Sequence, residues 1–264
     1  MKIRTYGEEP FSIAVVHAGP GCTGASAELA REISKRYGVI EPLQSAETID
    51  DQVKELEEQL TSITKSPVIL IGHDWGAWLS VLLAAKRPEL VKKLILIGTP
   101  PLEEKYRIEL ECNREYHFTS EEMKHYKQLQ QRLFNKEEPD KNKLLYQLAQ
   151  LCVKTDEYQP VSTEEALQDL VELNGELFYK MCTQIKELRN NGMMLEKFQK
   201  VLCPICIMHG VHDTYPVVGV LEPLIQKQVA HRVSLIEDCG HTPWREKIAY
   251  KDFYRAIYYE IETM

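Results

Sequence analysis

The sequence predicts an α/β protein, a mostly parallel sheet covered by helices on both faces and carrying an inserted helical cap. Three observations lead there. Over residues 1–99 short apolar runs alternate with amphipathic helical segments, the pattern of parallel strands joined by crossover helices. From about Thr99 to Lys200 the strand-like runs stop and charged helical segments take over. After residue 200 the alternation returns. The expected organisation is a core built from 1–99 and 201–264, with 100–200 as a cap, or lid, inserted between two strands.

Residues 12–17 read as a buried strand, and 25–37 as a helix that Gly38 would stop. Val39 and Ile40 open a short strand. Val53, Leu56, Leu60 and Ile63 then recur at helical spacing, with Glu55, Glu57 and Glu58 on the solvated side. Val68-Ile69-Leu70-Ile71 is the next strand, and 77–85 a helix apolar nearly all round, which predicts a central, buried position. Pro88 marks its end, and 91–97 is another buried strand. In the insertion, Thr119-Ser120-Glu121-Glu122 and Ser162-Thr163-Glu164-Glu165 both fit the capping box, where a hydroxyl and a glutamate satisfy free N–H groups. Ile205-Cys206-Ile207-Met208 and residues 232–236 supply two later strands. Tyr250, Phe253, Tyr254, Ile257, Tyr258 and Ile261 form one apolar stripe on the last helix.

At 264 residues and 44% hydrophobic, the chain can bury a large core. No run reaches the roughly 18 apolar residues of a membrane span. Residues 1–9 lack the apolar centre of a secretory signal, so a cytoplasmic location is expected. A net charge of −8 argues against a nucleic-acid-binding face and leaves a small-molecule substrate as the expected partner. Seven cysteines without framework spacing read as reduced, packed thiols. Cys203-Pro204-Ile205-Cys206 is formally a CxxC, but on a strand its sulfurs would point to opposite faces. There is no second Cys/His pair at zinc spacing, and neither a metal nor a cofactor is expected. The oligomeric state is not legible in the sequence.

Gly72-His73-Asp74-Trp75-Gly76 is the most informative stretch. It joins a predicted strand to a predicted helix, the context of a nucleophile elbow. Glycines two residues either side permit a tight turn with close packing. The residue between them sits at a helix N-terminus, where the macrodipole and free N–H groups favour negative charge. Asp213 follows a later strand and His241 the last one, and a parallel sheet would gather all three loops at one edge. His241 would take a proton from the group it activates; Asp213 would orient it and stabilise the imidazolium. In His17-Ala18-Gly19-Pro20-Gly21, the Gly19 N–H would face that of Trp75 to form an oxyanion hole. Plainer readings exist for each piece: Asp213 as a turn residue, His241 as a loop residue, Trp75 and Trp78 as packing. His73, His209 and His212 read as supporting or structural histidines. Four elements in order, each after a strand, favour a site.

Together these motifs resemble the α/β-hydrolase superfamily over essentially the whole chain. The elbow resembles the epoxide hydrolase and haloalkane dehalogenase branch, whose nucleophile is aspartate. The loop at His17 is similar to the HGGPG loop of proline iminopeptidase-type serine hydrolases, with Ala18 in place of a glycine. Gly240-His241-Thr242-Pro243-Trp244 is similar to small hydrolases of that second kind. A carboxylate is charged at pH 7 and can attack saturated carbon, whereas attack on an ester would give an anhydride. The first resemblance therefore implies an alkyl-enzyme ester on Asp74, with epoxides as substrate. A dehalogenase would use Trp75 and a second donor, but Gly19 stands at that loop position, and Trp78 and Trp244 lie outside the cap. Epoxide hydrolases use cap tyrosines as acid; Tyr106, Tyr116, Tyr126, Tyr146, Tyr158 and Tyr179 are available, and no motif selects among them. Two alternatives stay open. One is a serine-hydrolase lineage in which Asp74 occupies the nucleophile position, naturally or by engineering, with little acyl transfer. The other is a non-catalytic small-molecule receptor.

Overall fold

Strands form where β-branched and aliphatic residues run together. The computed structural model describes residues 2–161 and 170–263; the capping box expected at 162–165 lies outside the described residues. The strands are β1 (Lys2–Tyr6), β2 (Phe11–Val16), β3 (Cys22–Thr23), β4 (Gly38–Leu43), β5 (Val68–His73), β6 (Val91–Ile97), β7 (Glu172–Leu173), β8 (Ile205–Gly210) and β9 (Arg232–Ile236). Seven of them form one sheet in the order β1-β4-β2-β5-β6-β8-β9, parallel except for β1. The register aligns Val16 with Gly72, His73 with Ile97, and Gly210 with Ile236. The carboxyl ends of the central strands therefore share one rim.

The helices are α1 (Ala27–Ile33), α2 (Ile49–Ile63), α3 (Trp75–Lys86), α4 (Lys105–His117), α5 (Ser120–Leu133), α6 (Lys141–Asp156), α7 (Gly175–Asn190), α8 (Met193–Gln199), α9 (Val218–Gln226) and α10 (Tyr250–Glu262). Alternation along β2 splits the core in two. Ala14 and Val16 join the cluster under α2, α3 and α8; Ile13 and Val15 join the one under α1 and α10. Helix α3 is the buried one expected: every residue from Trp75 to Ala84 is inside. Cys203 packs against the first cluster and Cys206 within the second, so the CxxC sulfurs do diverge. The Thr119–Glu122 capping box forms as expected at the start of α5.

Two expectations need correction. Helix α1 ends at Ile33 rather than 37, and Gly38 is the first residue of β4, not a helix stop. A Cβ there would lie 2.3 Å from the Glu8 carbonyl, so glycine is required by strand approach. The stretch from Thr99 to Lys200 also contains a strand: β7 pairs antiparallel with β3, tying the helical insertion to the loop before α1. Among the described residues, no helix is long and apolar enough to cross a membrane.

One buried ion pair holds α10 to the sheet. The Lys93 ammonium donates to the Glu260 carboxylate at 2.7 Å and to the Glu260 and Thr263 carbonyls at 2.6 and 2.8 Å. Both side chains are 5% exposed. Breaking such a pair leaves a charge without its partner in a low dielectric, which costs about 3–5 kcal/mol. Glu260 is also met by Arg232 at 3.1 Å, so the charge that can be stranded is the Lys93 ammonium. Glu260→Leu should lower the unfolding free energy by that order in urea denaturation, and Lys93→Met with Glu260→Leu by clearly less.

Candidate active site

The elbow is built by backbone crowding. A Cβ on Gly72 would fall 2.3 Å from the Gly76 carbonyl, and one on Gly76 would fall 2.3 Å from the Val16 carbonyl. Between them Asp74 adopts φ 50° and ψ −117°, a left-handed conformation rare outside glycine. Its N–H donates to the Ile97 carbonyl at 3.1 Å, which pins the turn to β6. Its Oδ2 accepts the Gly19 N–H at 3.0 Å, and the Trp75 N–H also bonds to the carboxylate. The two N–H groups expected to form an oxyanion hole thus hold Asp74 itself. Burial raises the Asp74 pKa, while His241 and these two N–H groups oppose the rise.

The other expected residues arrive from the same rim. His241 Nδ1 lies 2.9 Å from Asp213 Oδ2. The Asp213 side chain is fully buried. Its Oδ1 accepts the Tyr215 N–H at 2.9 Å. His209 Nε2 faces two acceptors, Asp213 Oδ2 at 3.1 Å and the Tyr215 carbonyl at 2.8 Å, so this nitrogen carries the hydrogen. His209 is thus a second imidazole on the same aspartate. His73 Nε2 bonds to the His241 carbonyl at 3.0 Å, and its ring lies 4.7 Å from that of His241. Burial alone would depress the His241 pKa; the Asp213 carboxylate, with Asp74 and Asp156, instead holds it up at about 10.

Asp74, His241, Gly19 and Trp75 line one cavity of about 810 Å³, which Leu148 of α6 and Phe178 and Arg189 of α7 also line. Of the six insertion tyrosines, Tyr126 and Tyr179 line it. The Tyr106 hydroxyl is bonded to Glu222, and Tyr116, Tyr146 and Tyr158 are exposed. Tyr126 has no exposed surface, and its hydroxyl accepts from Arg114 at 3.0 Å and Gln130 at 2.7 Å. The Trp75 indole N–H is bonded to Gln52 at 3.0 Å and the Trp78 indole N–H to the Pro100 carbonyl at 3.2 Å. Neither is free for a halide.

Sequence reasoning missed three cavity residues. Tyr215 stacks on His241 with centroids 4.6 Å apart at 21°. Asp156 ends α6 and Glu157 follows it, both lining the cavity with the histidine; burial pushes the Glu157 carboxyl up to about 8, against the pull of the Thr242 N–H and His241. No periodicity marks any of the three. The distance of Tyr215 from Asp213, two residues, was the one available cue.

The family model described as alpha/beta hydrolase fold matches residues 13–244. The chain belongs to that family. In sequence it is similar to epoxide hydrolase 4 of Mus musculus, 37% identical over 57 residues, 22% of this chain and 16% of the relative. The Homo sapiens protein of the same name is 40% identical over 52 residues, 20% and 14% of the two chains. The aligned stretch thus spans less than a fifth of either relative's length. In structure it is similar to the enol-lactonase from Burkholderia xenovorans LB400, with TM-score 0.67 and 14% identity over 100% of this chain and 96% of the other. At that identity the likeness is one of fold alone.

The raised His241 pKa has a consequence for stability. A group bound more tightly to its proton in the fold than in the unfolded chain, about 10 against 6.5, stabilises fully below pH 6.5. That contribution is lost as the pH rises through 10. Urea midpoints of the wild type should therefore fall more steeply between pH 7 and 10 than those of His241→Gln.

Proposed function

We propose that this protein is a small-molecule hydrolase working through an alkyl-enzyme ester on Asp74, with epoxides as substrate. The observation that carries the reading is the seat of the Asp74 carboxylate: one oxygen against the Gly19 N–H, in a cavity that also contains His241. A carboxylate attacking carbon keeps its second oxygen as a carbonyl, and that carbonyl is then already placed where charge must later develop.

In this scheme an Asp74 oxygen attacks an epoxide carbon, the ring C–O bond breaks, and the departing oxygen takes the Tyr215 proton. Support for Tyr215 is positional: it lines the cavity and its ring stacks on that of His241; burial and, after it, the Asp74 charge raise its pKa. The Arg114 guanidinium lies 5.6 Å over its ring and favours the phenolate left behind. Protonated His241 returns a proton to that phenolate and becomes neutral. Esterification helps, because it removes the Asp74 charge that contributes to holding the imidazolium. His241 then deprotonates water, the hydroxide adds to Asp74 Cγ, and the oxyanion rests between the Gly19 and Trp75 N–H groups. Collapse expels the diol alkoxide, which takes the proton from His241; the new carboxylic acid of Asp74 gives its proton back to the imidazole.

A second reading, the serine-hydrolase lineage, draws on one observation. Glu157 lines the cavity with no lysine or arginine at salt-bridge distance among the described residues, and could meet a substrate amine.

After repeated turnovers of an epoxide in oxygen-18 water, the tryptic peptide carrying Asp74 should gain label; an unlabelled peptide with diol formed would sink the ester. If Asp74→Ser switches on ester or aminoacyl-amide hydrolysis, the second reading wins. Saturable binding without product in either test indicates a receptor. His241→Gln should accumulate an adduct heavier by one substrate in intact-protein mass spectrometry. Tyr215→Phe should slow adduct formation by about 10²-fold while leaving adduct hydrolysis unchanged in single-turnover kinetics.

A further inference from the structure

The histidine and its aspartate come from different loops, and something must hold those loops in register. Within the core, the His212 N–H to Cys239 carbonyl bond at 2.8 Å is one tie between them. The larger set comes from the insertion. The Asp156 carbonyl at the end of α6 accepts the His241 N–H at 2.6 Å. The same residue's Oδ1 accepts the hydroxyl of Thr214, the residue after Asp213, at 2.7 Å. Asn113 of α4 donates to the Thr214 carbonyl at 2.9 Å.

The Asp156 carboxylate is itself fixed. Arg114 of α4 donates to it from two nitrogens, at 3.1 and 2.6 Å, and Thr155 adds a hydroxyl at 3.0 Å. Planar two-point pairing restricts rotation as well as distance. Just beyond α6, Glu246 accepts the Tyr158 and Gln159 N–H groups at 2.7 and 2.6 Å and the Gly240 N–H at 2.8 Å. The residue before His241 is thereby tied to the residues after Asp156.

We propose that Asp156, clamped by Arg114, is a positioning residue that sets the Asp213–His241 contact, so that the insertion completes the site instead of only covering it. This rests on the reading of Asp213 and His241 as a working pair. Asp156 grips one loop through its main chain and the other through its side chain. Released from it, the Thr214 end of the aspartate loop keeps a bond from Asn113 but loses its shared anchor with His241.

The test reads the His241 ring directly by NMR on the full chain, with no substrate. The signals are the low-field Nδ1 proton held against Asp213 and the pH titration of the ring carbons. The groups facing the ring are Asp74 and His73 from the elbow, His209 from β8, and Asp213 and Tyr215 from the loop after it. Asp156 and Glu157 face it from the insertion. Thr214→Val keeps the Arg114 pair and every charge but cuts the side-chain grip; it should broaden or abolish the low-field proton while leaving the thermal midpoint within a few degrees of the wild type. Asp156→Asn should also move the titration midpoint down by about one pH unit or more, since an anion beside the ring is removed. An unchanged low-field proton in folded Thr214→Val overturns the proposal, whether or not Asp156→Asn folds. Because no turnover is measured, the spectra of a protein that hydrolyses no epoxide still test the positioning role.

Discussion

The geometry of the site hangs on one strained residue. Asp74 is held at positive φ, a conformation that costs a non-glycine residue on the order of 1–3 kcal/mol. The cost is met by what lies on either side: β5 is paired on both edges, and α3 is buried along nearly its whole length. Gly76 can sit against the Val16 carbonyl only because it has no side chain, and that contact brings the β2 loop, with Gly19, over the carboxylate. Sheet register, helix burial and the hydrogen bond to Asp74 are thus one constraint.

Burial then dictates the electrostatics. Charges of alternating sign meet at the cavity: Asp74, His241, Asp156 and Arg114 line it, and the buried Asp213 pairs with His241. In a low dielectric each is tolerable only beside its opposite, so a change at one is felt by the next. Three cysteines also line the cavity, Cys22, Cys152 and Cys182, and burial pushes each thiol up to about 12. They remain protonated, weakly nucleophilic thiols at neutral pH.

What was legible in the sequence was whatever depends on chain neighbours. The elbow follows from glycine spacing, and α3 from its unbroken apolar run. The order of Asp74, Asp213 and His241 could be read because each follows an apolar strand. Gly38 misled because the reason for glycine was the approach of Glu8 and Pro10, which no local pattern records. The pairing of Cys22–Thr23 with Glu172–Leu173 joins segments too short and too far apart to announce themselves. Tyr215, Asp156 and Glu157 escaped notice for the same reason: their roles lie in what folds against them. The insertion tyrosines could be counted but not placed, and four of the six turn away from the cavity.

The mixed motifs, an elbow of one kind beside a loop of another, become compatible once the occupant of the hole is considered. In a serine enzyme the donor pair receives the oxygen of the substrate's acyl group, so the pair must stand empty at rest. Here the Oδ2 of Asp74, the residue at the elbow, already takes the Gly19 N–H. An ester docked for acyl transfer would have to displace a charge-assisted hydrogen bond to place its carbonyl there. In the proposed scheme a substrate reacting at saturated carbon needs no such place, because its later oxyanion would grow on Asp74. The loop at His17 could serve either chemistry without change; the atom it holds is what favours the proposed one.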